Sequence, residues 1–170
     1  WQTSYENFVL TFARLAEETG VEVLAIGTEL KKRSGDTAWW RQLIEKIRAV
    51  YKGQLTYAAN WDEYDRVAFW DLTDFIGIDF YFPLTSKRDA GRDEMVEALK
   101  PIRDRLKQFS GQQGRPFLFT EIGYRDIDGA NTKPYDFEMS GGTDLQEQAD
   151  AYEAVLTVFK DEEWLKGLFW

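Results

Sequence analysis

The chain has 170 residues, enough for one domain with a sizeable core, and its formal net charge of −9 disfavours nucleic acid and anionic membrane surfaces as partners. An apolar share of 44% excludes a disordered tail, and an aromatic share of 16%, with seven tryptophans, is about double the ordinary level. Cysteine and histidine are absent, which excludes disulfides, thiolate nucleophiles, the Ser-His-Asp triad and the HExxH zinc site, so proton transfer falls to Asp, Glu, Lys or Tyr.

Tyr5 to Glu18 carries Tyr5, Phe8, Val9, Phe12, Leu15 and Ala16 at helical spacing, between a Thr3/Glu6 capping box and Gly20, and predicts a helix packed on that stripe. Val21 to Gly27 (VEVLAIG) is a nearly continuous apolar run, the pattern of a parallel strand covered on both faces, with Glu29 just past its end. Trp40, Leu43, Ile44, Ile47 and Val50 predict a second helix over Ala38 to Tyr51, capped by Asp36 or Thr37 and stopped by Gly53. A strand over Gln54 to Ala59 follows and ends at Asn60-Trp61. A short helical stretch from Glu63 to Trp70 leads to the strand Phe75 to Phe82 (FIGIDFYF), which stops at Pro83.

Met95, Val96, Leu99, Ile102, Leu106 and Phe109 predict a helix over Asp93 to Phe109, kinked or restarted at Pro101. Beyond a turn at Gly111 to Gly114, Arg115 to Ile122 (RPFLFTEI) reads as a strand ending on a second carboxylate. A long polar loop, Arg125 to Thr143, precedes a helix from Asp144 to Lys160 with Leu145, Ala149, Tyr152, Leu156 and Phe159 inward. Lys166 to Trp170 (KGLFW) begins one more strand. No apolar run approaches the roughly 20 residues of a membrane span, and secretion and a cytoplasmic location both remain open.

Alternating strands and helices indicate the α/β class with a parallel sheet. A doubly wound nucleotide-binding sheet would show GxGxxG or GxxxxGK[ST], and neither occurs. A barrel instead places polar residues at the C-terminal ends of several strands, as at Glu29, Asn60, Tyr81 and Glu121. Eight strands close such a barrel, and a complete one runs to about 250 residues. The chain therefore reads as a single unit, residues 1–170, forming an incomplete (β/α)8 barrel from about the fourth strand to the eighth and truncated at both ends.

Glu29 and Glu121 would face one mouth of that barrel although 121 − 29 = 92 positions separate them. Glycosidic cleavage needs such a pair, one carboxyl protonated to donate to the leaving oxygen and one ionised to attack or to position water. A separation of about 5 Å gives retention and one of roughly 6.5–9.5 Å gives inversion. A single strand-end glutamate is more often a solvated carboxylate, and it is the pairing, with no histidine to compete, that favours chemistry. Trp61, Tyr81, Tyr124 and Trp170 offer rings for stacking on sugar faces at the same rim, with core packing as the alternative. Trp39, Trp40, Phe75, Phe117 and Phe119 fall inside helix and strand patterns and read as core. Tyr81 shares a strand face with Asp79. Asn60 would bond a sugar hydroxyl or cap the helix after it. The Asp62, Glu63 and Asp65 cluster lacks the glycine and closing glutamate of a calcium loop and reads as a solvated helix start; Asp126 and Asp128 are equally weak, so no metal is expected.

GTEL at Gly27 to Leu30, YAANW at Tyr57 to Trp61, FIGIDFYFPL at Phe75 to Leu84, FTEIGYRD at Phe119 to Asp126 and the terminal GLFW resemble the clan A barrel hydrolases, in particular the β-mannanases of glycoside hydrolase family 113. The resemblance spans nearly the whole chain. It implies a retaining β-1,4-mannanase acting on oligo- or polysaccharide without cofactor. Glu29 would be the acid/base after the fourth strand and Glu121 the nucleophile after the seventh. Tyr81 would be the sixth-strand tyrosine that contacts the nucleophile, and Trp170 the eighth-strand tryptophan beneath the sugar. Most of the clan has asparagine directly before the acid/base; Thr28 stands there in this chain, with Asn60 as a substitute donor. A non-catalytic carbohydrate-binding barrel and a hydrolase of another β-glycoside such as β-glucan are the alternatives.

Overall fold

The computed structural model describes residues 1–170. In chain order the elements are α1 (Gln2–Thr19), β1 (Val23–Thr28), α2 (Thr37–Val50), β2 (Gln54–Asn60), β3 (Ile76–Asp79), α3 (Arg92–Gln113), β4 (Phe117–Glu121), α4 (Leu145–Phe159) and β5 (Leu165–Leu168). All strand pairings are parallel, and the five strands lie in the order β1-β2-β3-β4-β5. Strictly sequential neighbours leave no point at which the strand order reverses, which removes the doubly wound alternative and makes the sheet an arc of a (β/α)8 barrel.

Strand alternation assigns the two faces of the arc. Residues such as Leu55, Tyr57, Ile76, Ile78, Phe117 and Phe119 pack outward against the helices, where Trp40, Ile44, Ile47 and Phe159 complete a continuous core. Their alternates, including Ala25, Thr56, Ala58, Asp79 and Thr120, line the concave inner face. Trp40, Tyr57 and Phe69 are fully buried and meet at centroid distances of 5.1–5.5 Å. Burying each such ring is worth about 1.5–3 kcal/mol, so this cluster anchors α2 to β2. Gly27 gives this cluster room, because a Cβ there would press to 3.0 Å from both Trp40 and the Tyr5 hydroxyl.

Several expectations are corrected. The Thr3/Glu6 capping box does not form: α1 starts at Gln2 and its N-terminus has no side-chain cap, as is also true of Asp36 before α2. Phe8, Phe12 and Leu15 of α1 are exposed, and the helix packs on Val9, Ala13 and Ala16 instead. Tyr51 rather than Gly53 ends α2. Two 3-10 turns, Tyr64–Arg66 and Trp70–Leu72, replace the short helix, and β3 is shorter than expected because the chain leaves the ladder after Asp79. α3 runs unbroken through Pro101, whose ring faces solvent. α4 is rotated from its expected face: Ala151, Ala154, Val155, Val158 and Phe159 are buried, while Leu145, Ala149 and Leu156 are exposed. Gly20 and Gly114 do end α1 and α3 in the left-handed conformation, with φ of 71° and 62°. No helix is long and apolar enough to cross a membrane.

Candidate active site

Glu29 follows the last residue of β1 and has φ of 51°, a left-handed conformation that costs a non-glycine residue about 1–3 kcal/mol. Both peptide groups flanking it are tied to β2. Its own N–H donates to the Ala58 carbonyl at 2.9 Å, and the next N–H, that of Leu30, donates to the Tyr57 hydroxyl at 2.9 Å. Burial and then the charges of Glu121, Glu63 and Asp62 hold the Glu29 carboxyl above its ordinary range, opposed by Lys31. A shift in that direction favours the protonated form, the one a proton donor needs.

Glu121 ends β4 and accepts a hydrogen bond from the Tyr81 hydroxyl at 3.2 Å. Burial and the adjacent Glu121 carboxylate push that hydroxyl up to about 12, so it stays a donor at neutral pH. Asp79, on the same inner face, is fully buried; its Oδ1 accepts from the Thr120 hydroxyl at 2.7 Å and its Oδ2 has no partner. Burial pushes Asp79 up to about 7.

Glu29, Asn60, Trp61, Tyr81, Glu121 and Tyr124 line one open groove of about 800 Å³ at the C-terminal ends of the strands. Asn60 does not cap the turn after it with its side chain: only its carbonyl is used, accepting from the Glu63 N–H at 3.0 Å, and the amide is left to the groove. Tyr124 is 4% exposed, meets Tyr152 edge-on and buries a hydroxyl without a partner, so it offers the groove little of its ring face. Trp170 is not on the groove wall. It lies past β5 and packs on Tyr152 at 4.4 Å, one ring behind the lining.

Sequence patterns missed part of the site. Tyr135 and Phe137, in the polar loop between β4 and α4, also line the groove; Tyr135 stacks on Trp61 at 5.5 Å and Phe137 is 80% exposed. Their signal was two aromatics in an otherwise polar segment. The loop is fastened from within. Buried Glu147 accepts from the N–H groups of Gly129 and Asn131 at 2.7 and 2.8 Å, and Arg125 donates to the carbonyls of Phe137 and Met139. Carboxylate oxygens of Asp128, Asp144 and Glu147 lie within 4.8 Å of one another, but each is committed, Asp128 to Arg88, Asp144 to the Glu147 N–H and Glu147 to the loop. Glu63, expected in solvent, is 1% exposed and accepts from the Tyr57 hydroxyl at 3.2 Å.

Parallel βα units in sequential order, with carboxylates, an amide and aromatic rings gathered at the C-terminal rim, define the class as (β/α)8 barrels with their polar groups at the strand ends. A glycoside hydrolase family model, Glycoside Hydrolase Family 113, matches residues 1–170, and the chain belongs to that family. Among solved structures it is similar to the GH113 β-mannanase AaManA from Alicyclobacillus acidocaldarius in complex with ManMIm, with a TM-score of 0.86 and 29% identity over 99% of this chain and 51% of that one. A GH113 β-1,4-mannanase matches with a TM-score of 0.84 and 30% identity over 99% of this chain and 50% of that one. The chain therefore spans about half the length of these structures. A β-glucuronidase from Faecalibacterium prausnitzii shares the fold at a TM-score of 0.71 and 15% identity, covering 99% of this chain and 28% of that one. No curated protein matches the chain.

Proposed function

We propose that the chain carries the catalytic carboxylates of a retaining endo-β-1,4-mannanase, with Glu29 as acid/base and Glu121 as nucleophile. The observation that supports this most directly is that the two carboxylates share one groove in different settings: burial and negative neighbours raise the Glu29 carboxyl above its ordinary range, while Glu121 accepts a tyrosine hydroxyl. Glu29 would give its proton to the glycosidic oxygen as a Glu121 oxygen bonds to the anomeric carbon and the old C–O bond breaks. Water, losing a proton to Glu29, would then displace Glu121, so that two inversions give net retention. Tyr81 would hold Glu121 in its attacking orientation, and Asn60 would bond a sugar hydroxyl. The mannan assignment draws on family membership and on the β-mannanases the chain resembles. Trp61, Tyr135 and Phe137 along the groove offer rings on which sugar faces would stack, and Trp170 would reach the substrate only from beyond Tyr152.

The test is made in protein carrying the complete barrel. Glu29→Ala and Glu121→Ala should each abolish hydrolysis of mannan, and wild-type activity in both would overturn the assignment. Product lengths from mannohexaose and cellohexaose separate mannan from glucan specificity and endo from exo action.

A further inference from the structure

The strained residue of the rim rests on a buried chain of hydrogen bonds that the reaction itself does not use. The Leu30 N–H donates to the Tyr57 hydroxyl at 2.9 Å, and that hydroxyl lies 3.2 Å from Glu63 Oε1. A phenol has a single proton. With its oxygen accepting from Leu30, the Tyr57 proton must go to Glu63, and a carboxylate is an acceptor whichever way it turns. Tyr57 is fully buried among Trp40, Phe69 and Trp70, so its hydroxyl cannot move to another partner.

We propose that Glu63 and Tyr57 are positioning residues for Glu29: the buried carboxylate orients the tyrosine hydroxyl, which fixes the peptide between Glu29 and Leu30 and so holds Glu29 in its left-handed conformation. The proposal rests on Glu29 being the proton donor. Glu63 is a costly choice for support alone. It is 1% exposed and its Oε2 has no hydrogen-bond partner, so burial raises its carboxyl above the ordinary range, against the pull of the Tyr57 and Ser34 hydroxyls and of Lys31. In its ionised form it adds negative charge that acts on Glu29. The groups acting on Glu29 are Glu121 from β4, Asp62 and Glu63 from the segment after β2, and Lys31 from its own loop, with Asp79 and Tyr81 of the β3 segment coupled to it in turn. Lys31 is paired with Asp62, and Glu63 itself faces Tyr57, Ser34, Lys31 and Asp62. Glu63 thus joins Glu121 and Asp62 in favouring the proton on Glu29.

The experiment is a pH–rate profile of aryl β-mannoside hydrolysis, again in protein with the complete barrel. Glu63→Ala should lower kcat by about tenfold with KM changed less than about twofold, because orientation rather than binding is lost. Glu63→Gln, which keeps an oxygen for Tyr57 but not the charge, should recover part of that kcat while its alkaline limb moves acidward by about half a pH unit. Tyr57→Phe should lose kcat and keep the limb where the wild type has it. Profiles of Glu63→Gln and Tyr57→Phe that superimpose on the wild type would overturn the relay. If Tyr57→Phe does not fold, the near-isosteric Glu63→Gln decides by itself. Glu29→Ala is measured alongside: full activity there removes the proton-donor assignment, whereas an inactive Glu29→Ala with unaltered Glu63 and Tyr57 variants removes only the relay.

Discussion

Asp79→Asn should stabilise the fold, and only above acid pH. Asp79 is fully buried, with one oxygen held by the Thr120 hydroxyl and the other unpartnered, and burial pushes its carboxyl from an ordinary 3.8 up to about 7, with smaller contributions from Glu121, Glu29 and Glu63. Between those values the unfolded chain has released the proton and the folded chain still holds it, so stability falls as pH rises through the window and levels off above about 7. At ~1.36 kcal/mol per pH unit, the interval from 3.8 to about 7 is worth about 4 kcal/mol. Asparagine keeps an oxygen for Thr120 and never ionises, so it mimics the protonated acid at every pH. Urea denaturation at two pH values is the assay. Variant and wild type should differ by less than about 1 kcal/mol at about pH 4, and the variant should be the more stable by about 4 kcal/mol at about pH 8. The same difference at both values would refute the argument, since a packing effect does not titrate.

Tyr81→Phe removes one hydrogen bond to a carboxylate, and at 3.2 Å its worth falls at the lower end of the roughly 1.5–3 kcal/mol range for charged partners. Steady-state kinetics should therefore show kcat/KM about tenfold lower, with the melting temperature little changed because Tyr81 is only half-buried. Gly77→Ala would place a Cβ 2.3 Å from the Tyr57 carbonyl oxygen and 2.6 Å from Thr56 Oγ1. Backbone cannot yield as a flexible side chain would, so denaturation should show a loss of about 3 kcal/mol.

Amphipathic stripes made α2 and α3 legible because their large apolar residues are also their buried ones: Trp40, Leu43 and Ile47 in one, Met95, Leu99 and Leu106 in the other. α4 departs from its stripe for the opposite reason. It seats small side chains, Ala151 and Ala154, against its neighbours and leaves Leu145 and Leu156 outside, so side-chain size pointed to the wrong face. Pro101 removes one N–H and yet breaks nothing, since its ring lies on the solvent side of α3 and the neighbouring turns carry the helix on. The strand-end carboxylates were visible because each closes an apolar run. Glu63 was not, because its acidic neighbours Asp62 and Asp65 mark a wet turn, and its true partner, Tyr57, is supplied by a strand whose pattern concerns packing alone.

How residues so far apart in sequence meet follows from register. Asn60 pairs with Asp79 and Asp79 with Glu121, forming a row across three parallel strands, while Glu29 is tied two residues below that row through Ala58. β1 and β4 are three strand spacings apart, ~14 Å along the sheet, and the curvature of a barrel turns that arc into a shorter chord with both side chains facing one groove. Convergence leaves the two glutamates chemically identical, so the roles proposed for them must come from their surroundings. Glu29 stands at a strained backbone position with Glu121, Glu63 and Asp62 raising its carboxyl after burial; Glu121 accepts a hydrogen bond from the Tyr81 hydroxyl. Exchanging the supports, rather than the glutamates, is therefore what should blur the division of labour between acid and nucleophile.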